Sequence, residues 1–266
     1  QTLVHVHPEE DELGRIYQPE LAIQSTMAEF ASSIMDKNFK VSTKKTVNTQ
    51  ELRAQFEKFV TPSNCPGDVH IGEILSWLDK RLPNDAIVSC GAGNYTHWVL
   101  RFIQHRRFGT QLAPLGAVMG YSVPAAIAAA IEFPDRISVA FAGDGCFLMN
   151  SQEIATAKMY GASPIIIIIN NGIYGAIRMH QEREFPTRSI GTDLVNPDFV
   201  AYAKSFGANA YQITKTEDFE QAFETAIKNQ GPSIIELVVS EEAISPAFTL
   251  SELIEKSVEK KNKENI

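Results

Sequence analysis

Five consecutive isoleucines, Ile165–Ile169, set the first limit on the fold. Successive side chains of a strand point to opposite faces, so a strand that is apolar at every position must be covered on both. Parallel sheets layered by helices provide that environment. The run is too short to cross a bilayer, which takes about 20 apolar residues. Pro164 precedes it and Asn170-Asn171 closes it. A second apolar run, Ile137–Ala142, ends in a comparable way at Gly143-Asp144-Gly145.

The surrounding chain alternates such runs with helical patterns. Ile71, Ile74, Leu75, Leu78 and Leu82 recur at helical spacing, with Asp68 placed to cap the helix. Ala86–Cys90 reads as a buried strand ending in Gly91-Ala92-Gly93. Ser122–Phe133 is Ala-rich and helical, stopped by Pro134. Asn150 with Glu153 makes a capping-box-like start for a helix that ends near Gly161. Asn196-Pro197 opens another helix, closed at Gly207. Asn209–Ile213, Glu217–Lys228 and Ser233–Val239 read as strand, helix and strand. The predicted fold class is α/β, a parallel sheet with helices on both faces, over residues 67–240.

Ahead of it, residues 1–39 read as a strand (Thr2–His7), the acidic turn Pro8–Glu12 and a short helix near Met27–Met35. Residues 40–66 are polar, with a helical piece at Gln50–Phe59, and read as a linker. Residues 241–266 read as a charged helical extension. The chain opens at Gln1 and at once enters a strand-like segment, so the N-terminal part of a longer protein is expected to precede it.

The length, 266 residues, suffices for one large α/β domain or one domain plus a fragment. A net charge of −8 gives no electrostatic case for nucleic acid or an anionic membrane as partner. Cys65, Cys90 and Cys146 are far apart, odd in number and without CxxC spacing, which fits a reducing compartment. With no signal peptide and no apolar run of membrane length, a cytoplasmic protein is expected.

Gly143-Asp144-Gly145 and Asn170-Asn171 are separated by 24 residues, and each follows a predicted strand. Mg2+ takes octahedral oxygen ligands, often one or two carboxylates plus phosphate oxygens. Asp144 offers the carboxylate, Asn171 a neutral oxygen and Ile173 a backbone carbonyl. Gly145 and Cys146, read as lying just ahead of a helix, offer N–H groups to phosphate. Either tripeptide alone would read as an ordinary turn. Their matched positions at strand ends, where such sheets bind ligands, favour a metal–diphosphate site.

The stretch GDGCFLMNSQEIATAKMYGASPIIIIINN closely resembles the thiamine diphosphate motif of the family containing acetolactate synthase, pyruvate decarboxylase and benzoylformate decarboxylase. The resemblance extends over about residues 66–240. It implies the thiamine diphosphate-binding fold, with Asp144, Asn171 and the Ile173 carbonyl on Mg2+. It places Gly143, Gly145, Cys146 and Tyr174 among the cofactor-binding positions; the family often has Ser or Ala where this chain has Cys146. Met119–Ala126 resembles the family's MGFGLPAA segment. That implies a catalytic role for Met119 as the apolar wedge between the cofactor's two rings; an ordinary core methionine is the alternative. Gly91–Tyr95 resembles the loop that meets the diphosphate from the other side, implying Gly93, Asn94 and Tyr95. Acetolactate synthases usually show Gln-His where Asn94-Tyr95 stands.

HVHPEEDELGRIYQPELAI resembles the end of the family's middle α/β domain. The fuller form of that domain binds FAD in acetolactate synthases, but only its last piece is here, so FAD is not readable from this chain. The family's glutamate that protonates the cofactor belongs to a pyrimidine-binding domain, for which this chain has no counterpart. The active site forms between that domain of one subunit and this domain of another, implying a homodimer or homotetramer. The implied activity is thiamine diphosphate-dependent C–C cleavage or formation on a 2-oxo acid, by a transferase or lyase. Acetolactate synthase-like carboligation comes first. Non-oxidative decarboxylation, a non-catalytic module with a vestigial site and an unrelated Mg2+-dependent phosphate enzyme are the alternatives. Arg178, His180 and Arg183 could meet a carboxylate, and His180 could move a proton. Acetolactate synthases carry a Gln-Trp pair near here that this chain lacks. His97 and His180 read first as surface or packed histidines, and Arg106-Arg107 as a solvated pair.

Overall fold

The computed structural model describes residues 2–35, 37 and 48–264. The chain divides into two compact units, residues 1–52 and 53–266. In the first, β1 (Val4–His7) pairs in parallel with β2 (Leu21–Gln24), in register from Val4↔Leu21 to His7↔Gln24. The sequence reading missed β2, a short strand with little burial and no clear alternation. Helix α1 (Met27–Met35) starts with a reciprocal cap. The Glu29 carboxylate accepts from the Thr26 N–H at 3.1 Å, and the Thr26 hydroxyl accepts from the Glu29 N–H at 3.2 Å. Of the expected linker, residues 40–47 lie outside the described residues; α2 (Thr49–Phe59) follows, with the Asn48 side chain accepting from the N–H of Gln50 and Glu51.

The second unit runs α3 (Ile71–Arg81), β3 (Ile87–Cys90), α4 (Thr96–Phe102), β4 (Gln111–Leu112), α5 (Ser122–Glu132), β5 (Ser138–Gly143), the single turn α6 (Asp144–Phe147), α7 (Ile154–Tyr160) and β6 (Ile165–Asn170). It continues with α8 (Gly175–Glu184), α9 (Phe199–Ser205), β7 (Asn209–Ile213), α10 (Phe219–Lys228), β8 (Ser233–Val238) and α11 (Leu250–Glu264). The six strands lie in the order β4-β3-β5-β6-β8-β7, and every pairing is parallel. β3, β5, β6 and β8 are buried at nearly every position, so helices cover both faces of the sheet, as the isoleucine run requires. Ile166, Ile167, Phe141, Ile234 and Ile235 are fully enclosed, each worth about 1.5–3 kcal/mol of burial.

Three helix starts differ from the sequence reading. Asp68 does not cap α3: His70 holds the N-cap position, and the Asp68 carbonyl accepts from Thr216 instead. Asn150 does not form a capping box with Glu153; its amide donates to the Gly120 carbonyl at 3.0 Å, and Glu153 accepts from the Thr156 hydroxyl. Asn196 does not open α9. Asp198 does, its carboxylate accepting from the Ala201 N–H at 2.8 Å. Asn150 and Asn196 donate instead to groups 30 and 52 residues away in sequence.

The order of strands positions the site. The chain moves from β3 outward to β4, then returns to lay β5 on the other side of β3. This reversal leaves a crevice at the carboxyl ends of β3 and β5.

Candidate metal and diphosphate site

A cavity of about 570 Å3 opens at that crevice. Its lining comes from the segments following β3 (Gly91–His97), β5 (Gly143–Cys146) and β6 (Asn171–Met179), with Met119 beside them. β5 and β6 are adjacent and pair Gly143 with Ile169, so Asp144 and Asn171 emerge side by side just beyond the pairing. The 24-residue spacing is the length of one helical crossover between two neighbouring strands.

Asp144 is 3 % exposed. Its Oδ1 accepts from the Gly145 N–H at 2.9 Å, and its Oδ2 from the Gly172 N–H at 2.9 Å and the Asn196 Nδ2 at 2.8 Å. Burial pushes its carboxyl above the usual carboxylate range, against the pull of Asn196, Gly145, Gly172 and its own backbone N–H. Every one of these partners is neutral. Gly172, at φ +69°, makes the turn that sends its N–H back to Asp144.

The Asn171 Oδ1 accepts from the Ile173 N–H at 3.3 Å, which orients the amide. The Ile173 carbonyl accepts from the Gly175 N–H at 2.9 Å and keeps a second lone pair. Gly145 is closed to any side chain, because a Cβ there would sit 2.6 Å from the Tyr174 ring. Gly145 and Cys146 do not precede a helix; they lie within the single turn α6.

Cys146 is buried, and its Sγ accepts from the Gly120 N–H at 3.1 Å and the Tyr95 hydroxyl at 3.5 Å. The Tyr95 hydroxyl also accepts from the Gly91 N–H at 3.1 Å. Burial drives the Tyr95 hydroxyl far above its ordinary value and the Cys90 thiol up to about 12. Tyr95 therefore lines the cavity with its ring while its hydroxyl is engaged in the wall. Asn94 is buried and donates to the Ile244 carbonyl at 3.3 Å. Gly93, Gly143 and Tyr174 also line the cavity, as does Met119, which is partly buried against the core.

His97 and His180 line the cavity; Arg178 and Arg183 do not. Arg178 is turned to Thr192 at 2.8 Å, Asp193 at 3.2 Å and the buried Glu182 at 3.4 Å. Arg183 lies beside the His180 Nδ1 at 3.5 Å. Arg106 pairs with Asp79 at 2.7 Å, and Arg107 reaches Asp85 at 4.0 Å.

The residue that sequence reasoning missed is Asn196. It joins a partly buried chain of polar groups: the Asn170 Oδ1 accepts from its Nδ2 at 2.9 Å, and the Asn170 Nδ2 donates to Glu236 at 2.7 Å. Gln212 donates to the same carboxylate at 2.9 Å. A glutamate inside the apolar strand β8 signals that such a network exists, because a buried carboxylate requires donors. Nothing in the sequence points to Asn196 as a member.

The donor set fits a hard divalent cation. Among the described residues lining the cavity, Asp144 is the single carboxylate and none is Lys or Arg. No cluster of three His, Cys, Asp or Glu side chains suited to a metal occurs among the described residues. A cation here would have one protein carboxylate, amide and carbonyl oxygens, and room for ligand oxygens, the set Mg2+ adopts with phosphates. It would also neutralise Asp144 and supply the positive charge that an anionic ligand lacks in this cavity. No helix among the described residues is long and apolar enough to cross a membrane.

Residues 91–237 match the family model described as the C-terminal TPP binding domain of thiamine pyrophosphate enzymes. The chain is 32% identical over 256 residues to the acetolactate synthase large subunit of Corynebacterium glutamicum, covering 91% of this chain and 40% of that protein. It is 31% identical over 199 residues to the acetolactate synthase isozyme 2 large subunit of Escherichia coli, covering 72% of this chain and 36% of that one. Over 251 residues it is 27% identical to acetolactate synthase 2, chloroplastic, of Nicotiana tabacum, covering 89% and 38%. The chain thus spans about two fifths of the length of these curated relatives.

Proposed function

This chain belongs to the thiamine pyrophosphate enzymes, and on that premise we propose that it provides the diphosphate- and Mg2+-binding part of an active site for 2-oxo acids, acetolactate synthase-like in its carboligation. The observation that carries the reading is the meeting of Asp144 and Asn171 at the ends of β5 and β6, on one cavity with Met119. When bound, thiamine diphosphate supplies the electron sink for decarboxylation and the nucleophile for C–C bond formation. Asp144, Asn171 and the Ile173 carbonyl would hold Mg2+. Backbone N–H groups near Gly145 and Cys146 orient the diphosphate. Met119, an unbranched thioether lining the cavity, would serve as the apolar wedge against the bound cofactor. The pyrimidine end is completed by a second domain of a partner subunit, in a homodimer or homotetramer. Residues 1–39 would be the end of a middle domain, 40–66 a linker, 67–240 the cofactor-binding domain and 241–266 a helical extension.

A second reading, decarboxylation followed by protonation, is favoured by His180. Its Nδ1 lies 3.5 Å from the Arg183 guanidinium, and the residue lines the cavity. The chain also lacks the Gln-Trp pair of acetolactate synthases. Titration with thiamine diphosphate, with and without Mg2+, tests the shared part of both readings. Saturable one-to-one binding that requires Mg2+ is expected; no binding in the presence of Mg2+ overturns it. With a 2-oxo acid as substrate, a C–C ligated product supports the first reading and an aldehyde the second. Met119→Ala should keep the cofactor affinity within about tenfold while lowering turnover, and unchanged turnover removes the wedge role.

A further inference from the structure

Asp144 has four lone-pair sites on its two oxygens. Gly145 occupies one on Oδ1, while Gly172 and Asn196 occupy both on Oδ2. Among the described residues, no other residue donates to the second direction on Oδ1. Two of these three donors are backbone N–H groups, held in place by the glycines at 145 and 172. The third, Asn196, is a side chain 52 residues away.

Its orientation is forced. The Glu236 carboxylate accepts from Gln212 and from the Asn170 Nδ2, so Asn170 must turn its Oδ1 toward Asn196. Asn196 then faces two acceptors, Asn170 Oδ1 and Asp144 Oδ2, and must present its NH2 to both. The reversed amide would set oxygen against oxygen twice. Its own Oδ1 is buried with no hydrogen-bond partner, a cost that this orientation carries. The backbone is anchored as well. The Leu194 N–H donates to the Gly172 carbonyl at 2.8 Å, and Asp193 bridges Ile173.

We propose that Asn196 is a positioning residue that sets metal selectivity: by filling Oδ2, it makes Asp144 a one-oxygen ligand and thereby favours Mg2+ over Ca2+. Mg2+ demands a near-ideal octahedron at about 2.0–2.1 Å, whereas Ca2+ takes 6–8 oxygens and readily accepts a carboxylate through both. This deepens the proposed function and rests on that reading.

The test uses the full chain and its Asn196→Ala and Asn196→Leu variants, the second filling the space that the first vacates. Thiamine diphosphate binding is measured by calorimetry with Mg2+ and with Ca2+, alongside melting curves without metal. The Mg2+-supported affinity should fall about 10–100-fold, as for other partners of metal ligands. The Ca2+-supported affinity should stay within about threefold, so that the Mg2+/Ca2+ ratio drops at least about threefold. Equal losses with both ions, or no loss, overturn the selectivity role even if the melting temperature changes. The unsubstituted protein gives a measurement independent of variant folding. Its carboxylate bands in the infrared difference between Mg2+-loaded and metal-free forms should have the wide splitting of one-oxygen binding; a narrow, two-oxygen splitting overturns the inference. Failure of the unsubstituted protein to bind thiamine diphosphate with either ion instead overturns the proposed function, and this inference with it.

Discussion

Replacing Asp144 by Asn probes the centre of the site with little change in shape. Asp144 is the single carboxylate among the described residues lining the cavity, is 3 % exposed, and has neutral hydrogen-bond partners throughout. No Lys or Arg among the described lining residues could take over the attraction of a diphosphate. Two unit charges 4 Å apart interact by about 4 kcal/mol at an effective dielectric constant of 20. A divalent ion in direct contact gains more, offset by its own dehydration. Taking about 4 kcal/mol as the net loss, Asp144→Asn should weaken Mg2+-supported thiamine diphosphate binding roughly a thousandfold. The assay is calorimetric titration at fixed Mg2+, with melting curves of the metal-free proteins to show that both are folded. A folded variant that binds within tenfold of the unsubstituted chain would refute the electrostatic argument and move the metal away from Asp144.

The other predictions concern the walls of the site and the frame behind it. Cys146→Ser should cost under about 1.5 kcal/mol in urea unfolding, because a hydroxyl still accepts from Gly120 and Tyr95, whereas Cys146→Ala should cost about 1–3 kcal/mol by leaving the Gly120 N–H without an acceptor. Thr187 is β-branched at φ 63°, so Thr187→Gly should stabilise by about 1 kcal/mol once glycine's greater unfolded freedom is subtracted, seen as a rise of roughly 2–4 °C in melting temperature. His70 has its pKa raised, first by its hydrogen bond to Glu73. Its contribution is fully present below the unfolded value of about 6.5 and lost as pH rises through the folded value. With the side chain one third exposed, at 33%, the effect should stay under about 1 kcal/mol, and His70→Gln should flatten the stability profile over that window.

The sheet was legible because its signals are local. Five isoleucines in a row leave no face for water, and this holds wherever the chain runs. Strand ends marked by Gly143-Asp144-Gly145 and Asn170-Asn171 fixed where two polar groups would emerge. Parallel pairing of neighbouring strands then brought those ends together, as the register Gly143↔Ile169 shows. What the sequence could not reveal depends on partners far along the chain. A local cap at Asp68, Asn150 or Asn196 is worth about 1 kcal/mol. Tertiary packing offered Asn150 and Asn196 the Gly120 carbonyl and the Asp144–Asn170 pair instead. Arg178 illustrates the same limit. It follows Asn171 closely in sequence, yet helical rotation of α8 turns it from the cavity to Glu182 and Asp193, while His180, two residues on, lines the cavity. Periodicity and end signals therefore determined the sheet and the location of its chemistry. Only the folded chain decided which side chains face that chemistry, because a hydrogen bond across 52 positions, such as that from Asn196 to Asp144, leaves no trace in local pattern.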